Sequence, residues 1–290
     1  ILIMSSALKL FKNRPLLIAT MHGKEKIISS LLEQQLGVKV FTTEQLNTDQ
    51  FGTFSGEIER KQSQPDTARL KIEEAARLTG ADLVLASEGT FQPHHQYYIA
   101  TGNYEMVLLR DFRHQAEWQG WEVSLKVAAG KYTFHTVDEA IRKSKAMKFP
   151  SHGLLIRTSE ASGQQFIEKG ILDKKLLKEA AEKALSISTD GTAILENDLR
   201  AHMNPTRQQT ILAATKNLLK AMEEDCPSCQ WPGFRVEERI PGLPCSACGT
   251  ATRLTLHEIF VCDQCKHRVK KNRSDGKVIA DPYDCDQCNP

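Results

Sequence analysis

Pro15-Leu-Leu-Ile-Ala-Thr-Met-His-Gly-Lys24 decides how the body of this chain is read. Residues 15–20 form an apolar run of strand length, too short for a buried helix. His22-Gly23 breaks the run. From Lys24 onward Ile27, Ile28, Leu31, Leu32 and Leu36 recur at helical spacing. Gly37 is a helix stop, and 38–41 is a second strand. A strand–helix–strand opening with short connections predicts a parallel pair of strands.

Outward from this unit the alternation continues. Residues 43–65 are polar, carry Gly52, Gly56 and Pro65, and read as a long functional loop. A helix is expected over 66–79, ended by Gly80, and a strand over 81–86 that leads into Ser87-Glu-Gly-Thr-Phe91. Segments 97–101, 105–112 and 118–125 read as antiparallel strands. Helices follow at 137–147 and 173–185, with a strand at 153–157 between them. Asn204-Pro205 is a cap followed by proline at the first helical position, opening a helix to about residue 222. The expected fold is α/β: a mixed sheet with flanking helices over 1–225, then a small zinc-ribbon module over 226–290.

The 290 residues are 40% apolar and 26% charged, which excludes a disordered or collagen-like chain. A formal net charge of +2 argues against a polybasic surface over the whole molecule. No run approaches the roughly 18 apolar residues of a membrane helix. Residues 1–10 lack a basic start and a small-residue cleavage pattern. A cytoplasmic protein with no membrane partner is expected.

All eight cysteines lie in the last 65 residues, as Cys226/Cys229, Cys245/Cys248, Cys262/Cys265 and Cys285/Cys288. Eight thiolates suffice for two closed tetrahedral zinc sites, which are structural because no coordination position stays open. The favoured pairing is nested: Cys245/Cys248 with Cys262/Cys265 around a hairpin at 251–261, and the outer pairs together. Interleaved and consecutive pairings are the alternatives. Arg253, Lys266, Arg268, Lys270, Lys271 and Arg273 could touch phosphate. Nine Lys/Arg face eight Asp/Glu in this tail, however, and two zinc ions on eight thiolates leave it net negative. A nucleic-acid partner is the less favoured expectation.

Three body segments could together hold phosphate and a metal. Lys24 and Lys26, with Thr20, open the first helix, where backbone N–H groups suit an anion. Asp66 opens the second helix, near Arg69 and Lys71. Glu88 leaves a strand at its carboxyl end, where ligands of open α/β sheets bind. Glu57 or Glu59, on the glycine-bracketed loop, could orient water. Arg200 and His202 precede the proline-started helix that carries Arg207, a place suited to an anion. Neither a P-loop nor a nucleophile elbow is present.

The order of these segments resembles the inosine/xanthosine triphosphate pyrophosphatases. It rests on Ile18-Ala-Thr20-Met-His-Gly-Lys24, Asp66-Thr67 through Ala75-Ala-Arg77, Ala81-Asp82 to Glu88-Gly89, and Asn204-Pro-Thr-Arg207. The resemblance implies Mg²⁺-dependent hydrolysis of a nucleotide, with release of pyrophosphate. Glu88 and Asp66 would then hold the metal, while Lys24, Lys26, Arg200, Arg207 and Thr20 meet the phosphates. That family has no cysteine-rich tail. With Phe54-Ser-Gly56-Glu57-Ile-Glu59-Arg60, Ala86-Ser-Glu88-Gly and Asp198-Leu-Arg200-Ala-His202-Met-Asn-Pro-Thr-Arg207, the whole chain also resembles an uncharacterised bacterial family of unknown function. The alternative to a hydrolase is a non-catalytic zinc-ribbon adaptor.

Overall fold

The computed structural model describes residues 6–21, 23–48, 62–97 and 99–290. They divide into two compact units, one of 13–218 and one that joins the N-terminal residues up to 12 with 219–290.

In the larger unit the opening run folds as expected. β1 (Pro15–Ala19), α2 (Glu25–Leu36) and β2 (Lys39–Phe41) form a parallel crossover, and Gly37 closes α2 at φ +66°. The first helix of the chain, α1 (Ser6–Phe11), belongs to the other unit. α3 (Gln64–Thr79) then carries the chain to β3 (Leu83–Pro93), on the far side of β1. β4 (Thr101–Asp111) and β5 (Ala116–Ser124) add antiparallel strands, giving the order β2-β1-β3-β4-β5. The crossover from β1 to β2 and the one from β2 to β3 run in opposite directions across the sheet. Right-handedness therefore puts α2 and α3 on opposite faces of the sheet.

Alternation along the strands sorts the side chains between those faces. Leu17, Ala19, Val84, Ala86, Met106 and Leu108 pack with Ala68, Ile72 and Ala75 of α3. The opposite side chains, Leu16, Ile18, Leu85, Val107 and Leu109, are also fully or nearly fully buried. That second face meets α6 (Pro205–Lys220): a Cβ on Gly120 would lie 2.1 Å from the Leu218 backbone nitrogen and 2.2 Å from the Ala214 carbonyl oxygen. A side chain at 120 would push the helix off the sheet.

Residues between β5 and α6 build a second, antiparallel sheet in the order β6-β9-β7-β8. Its strands are β6 (Lys131–Phe134), β7 (Leu154–Thr158), β8 (Phe166–Ile171) and β9 (Ala193–Asn197). α4 (Val137–Ala146) and α5 (Lys174–Ile187) cover one side around Phe134, Leu154, Ile156, Leu177 and Leu195. Sequence reading finds β7 and both helices here but not β6, β8 or β9. It also places a strand at 97–101, where the chain turns between β3 and β4, with His94 N–H donating to the Ala100 carbonyl.

The smaller unit is a three-stranded antiparallel meander, β10 (Arg235–Pro241), β11 (Thr255–Val261) and β12 (Arg268–Asn272). Phe234 and Phe260 pack with Cys226 and Cys262, and Ser6 Oγ of α1 donates to Asp225 at 2.7 Å.

Gly120→Ala is expected to lower stability by about 1–3 kcal/mol, the usual cost of overpacking a close approach. Chemical denaturation checks this. An unchanged midpoint would mean that α6 yields without cost.

Candidate functional site

The four cysteine knuckles share one local geometry. The residue after each second cysteine donates its N–H to the carbonyl of the first: Gln230 to Cys226 at 2.8 Å, Gly249 to Cys245 at 2.9 Å, Lys266 to Cys262 at 2.9 Å and Asn289 to Cys285 at 2.8 Å. Gln230, Gly249 and Lys266 reach this turn with left-handed φ of +61°, +74° and +62°. In every pair the first cysteine is buried and the second exposed.

Two clusters result, Cys226, Cys229, Cys262 and Cys265 in one, Cys245, Cys248, Cys285 and Cys288 in the other. The nested pairing is thereby corrected to an interleaved one. The reason is the meander: successive strand ends alternate between its two edges. The knuckles before β10 and after β11 share one edge, and those after β10 and beyond β12 share the other. Sulfur–sulfur separations of 3.7 and 3.6 Å in the first cluster and 3.9 and 3.6 Å in the second fit a tetrahedral ion. A tetrahedron with Zn–S bonds of about 2.3 Å has edges of about 3.8 Å. These groups could bind zinc.

The basic run of the tail is largely neutralised. Arg253 pairs with Asp286, Arg268 with Glu237, Lys271 with Glu224 and Arg273 with Asp275.

In the larger unit charged side chains gather where β1 ends. Lys24, at the N-cap position of α2, is buried, and its Nζ donates to the Ser87 carbonyl at 2.8 Å. On the α3 face of the sheet Lys71 Nζ lies 2.5 Å from Glu88 Oε1. On the α6 face Arg207 Nε donates to Glu105 Oε1 at 2.7 Å and Nη2 to Oε2 at 3.3 Å. Arg207 Nη1 also donates to the Leu199 carbonyl at 2.6 Å. Arg207 and Glu105 are 1% and 0% exposed, so this pair is cut off from water. Gly89, across from Glu105 in the β3–β4 ladder, makes the room: a Cβ there would stand 2.3 Å from Glu105 Oε1.

Asn204 sets the start of α6. Its Oδ1 accepts the Arg207 N–H at 3.1 Å, and its Nδ2 donates to the Ala128 carbonyl at 2.8 Å. The Thr206 N–H points to His152 Nε2 at 3.2 Å. Burial, aided by Lys148, pushes the His152 imidazole below its ordinary value, which keeps it neutral as this contact requires.

The cluster holds three cations and two carboxylates. Burial and then the Arg207 charge push the Lys24 ammonium down to about 7, against the opposing pull of Glu88 and Glu105. α2 has no side-chain cap, and the N–H groups of Lys26, Ile27 and Ile28 donate to the Gly23 and Lys24 carbonyls.

The expected site residues thus fall into three groups. Lys24, Glu88 and Arg207 come together, with Thr20 buried at the end of β1. Lys26 is exposed on the first turn of α2. Asp66 lies elsewhere, exposed in the first turn of α3, bound by Ser63 Oγ at 2.5 Å and paired with Arg69 at 3.2 Å. Arg200 is gripped by Asp198, with Nε 3.0 Å from Oδ1 and 3.1 Å from Oδ2. Glu57, Glu59 and the segment 54–60 lie outside the described residues, as does His22. Glu105 and Ser87 escape the sequence reading. A carboxylate opening the apolar run Glu105-Met-Val-Leu-Leu109, in strand register opposite a glycine, was the available signal.

This arrangement gives magnesium no support. Glu88 and Glu105 are each held by a cation, Asp66 is apart, and among the described residues only the cysteine clusters gather three or more ligating side chains.

The fold and sites define a class: an α/β unit with a buried ionic cluster, joined to a module with two four-cysteine sites. The chain belongs to the family described as a domain of unknown function, DUF6671, which matches residues 71–290. No curated protein matches it by sequence. It is similar to the crystal structure of protein VC0702 from Vibrio cholerae at 11% identity, covering 70% of this chain and 94% of that one, with a TM-score of 0.30. The likeness to inosine/xanthosine triphosphate pyrophosphatases gains no support from these matches.

Two predictions follow from the geometry of the sites. The purified chain should carry two metal equivalents by plasma mass spectrometry. Cys229→Ser with Cys265→Ser should keep one, and Cys229→Ser with Cys288→Ser none; the reverse result would restore the nested pairing. Separately, Arg207→Ala should cost about 3–5 kcal/mol, because Glu105 is left charged and buried. Combining Arg207→Met with Glu105→Leu should recover much of that loss in the same denaturation assay.

Proposed function

We propose that residues 13–218 bind a phosphorylated small molecule, such as a nucleotide, where β1 ends beside the middle of β3, and hydrolyse it. One observation carries this reading: Lys24 and Arg207 converge with two carboxylates beside the uncapped N-terminus of α2. The strand order β2-β1-β3 supports it. The crossovers to β2 and then to β3 run in opposite directions on the two sides of β1, and the crevice at the carboxyl end of such a switch is where open α/β sheets bind ligands.

The charge count has a chemical consequence. A phosphate supplies the negative charge that the third cation lacks and favours the protonated Lys24 ammonium. Drawing Lys71 toward the same phosphate would loosen its hold on Glu88 and leave that carboxylate to orient water. Binding without hydrolysis is the second reading, favoured because both buried carboxylates are held by cations. We also infer that the four-sulfur sites hold Zn²⁺ and, being closed, serve folding and not catalysis.

Sulfate keeps its charge through the neutral range and tests the binding step. Its affinity should fall as pH rises from 6 to 9 through the Lys24 transition near 7, because deprotonation removes the cation that the anion meets. His202, whose Cβ would lie 3.4 Å from one on Gly23, is replaced by Gln in a control. Lys24→Met should abolish the binding; retained affinity would end the anion-site reading. Phosphate and pyrophosphate release from nucleoside mono- and triphosphates, compared with Glu88→Gln, tests hydrolysis. Binding without release in the wild type leaves the second reading.

A further inference from the structure

Thr20 and Gly23 border the cationic cluster and also form one wall of an open cleft of about 320 Å³. The loop after β2 makes the opposite wall. The two walls are tied where the Thr48 N–H meets Met21 Sδ. Thr43 Oγ1 accepts the Gln45 N–H at 3.2 Å and so shapes the loop.

The lining of this cleft differs in charge from the cluster it adjoins. It holds the carboxylates Glu25 and Glu44, the threonines Thr42 and Thr43, and the apolar side chains Met21 and Leu46, with no lysine or arginine among the described residues. Such a wall accepts hydrogen bonds and offers an apolar strip, but repels negative charge. The cluster next to it does the reverse.

A second observation concerns Ser87. Its carbonyl is taken by Lys24, yet its hydroxyl is buried with no hydrogen-bond partner among the described residues, and the residue is only 5% exposed. Ser87 follows the Ala86 that pairs with Ala19, so it stands at the end of β1. It shares the ladder row of Val107 and Gly120, on the Arg207 face of the sheet. A buried hydroxyl left unpaired costs free energy unless a ligand or water meets it.

We propose that the cluster and the cleft take a single ligand, the phosphate monoester of a polyol such as a pentose. Its phosphate meets Lys24 and the Ser87 hydroxyl, with the Arg207 guanidinium contributing charge from behind its ion pair. Its hydroxyl groups donate to Glu25 and Glu44 and exchange hydrogen bonds with Thr42 and Thr43, while the carbon skeleton lies along Met21 and Leu46. The volume is at the lower end of small-molecule sites, which suits a sugar. A second phosphate entering the cleft would find two carboxylates and, among the described residues, no cation, so the site selects against polyphosphates. This inference rests on the phosphate-binding reading above and narrows its ligand.

Isothermal titration of the full, metal-loaded chain with inorganic phosphate, ribose 5-phosphate and tripolyphosphate tests it. Ribose 5-phosphate should bind at least about tenfold tighter than inorganic phosphate, the value of one hydrogen bond to a charged group. Tripolyphosphate should bind no tighter than inorganic phosphate. Glu44→Gln should narrow the ribose advantage and strengthen tripolyphosphate, a reversal that a loss of structure would not produce. If ribose 5-phosphate gains nothing over inorganic phosphate, or tripolyphosphate binds tightest, the polyol inference is overturned while the phosphate site stands. If inorganic phosphate fails to bind, or binds equally to Lys24→Met, the phosphate site itself is overturned.

Discussion

The buried Arg207–Glu105 ion pair constrains how β4 and α6 of the larger unit meet. It joins residues 102 apart in sequence, and neither partner reaches water. Taking both charges out of water costs several kcal/mol per ion, so the pair survives only with good geometry and further hydrogen bonds. The structure meets these conditions one by one. Gly89 leaves the space, the Leu199 carbonyl takes a third guanidinium N–H, and Asn204 holds the first turn of α6. The second sheet enters here too. Ala128 and His152, at either end of its first crossover, fix Asn204 and Thr206, and through them the direction from which Arg207 enters. The insertion between β5 and α6 therefore has a positional role, independent of any ligand of its own.

Once that pair is in place, the charge of the cluster turns on Lys24. Arg207 and Lys71 already have carboxylate partners, one on each face of the sheet. Lys24 has a carbonyl instead, and its ammonium is destabilised by burial and by the neighbouring guanidinium. The cluster can shed that proton near neutrality. An anion bound beside it would favour the charged form, so proton uptake and anion binding would be linked. A strand that ends early, as β1 does at Ala19, lets a helix N-terminus and groups from both faces reach the same point.

The tail obeys a different constraint, the parity of a meander. Three antiparallel strands place successive turns at alternate edges, so knuckles one and three must meet, as must two and four. An ion in either cluster would tie together the ends of two different strands. With a modest aromatic core of Phe234, Phe260 and Trp231, such a module would draw much of its stability from bound metal.

Parity also explains what could be read from the sequence and what could not. Four Cys-x-x-Cys pairs and the eight ligands are plain in the sequence, but their pairing depends on the number of intervening strands. Reading one hairpin at 251–261 in place of three strands yields the nested arrangement. In the body, Pro15 to Gly37 and Asn204-Pro205 are legible because strand length, helical spacing and caps are local. Glu105 is illegible because its role depends on lying opposite Gly89 and beneath Arg207, a matter of register and of a helix 100 residues away. Asp66 shows the converse. An aspartate in the first turn of a helix serves the cap and the dipole as readily as a metal, and Ser63 three residues earlier was the local sign that it caps. Where one residue type suits two roles, its sequence neighbours decide whether the local role is already filled. Only the fold decides what else can reach it.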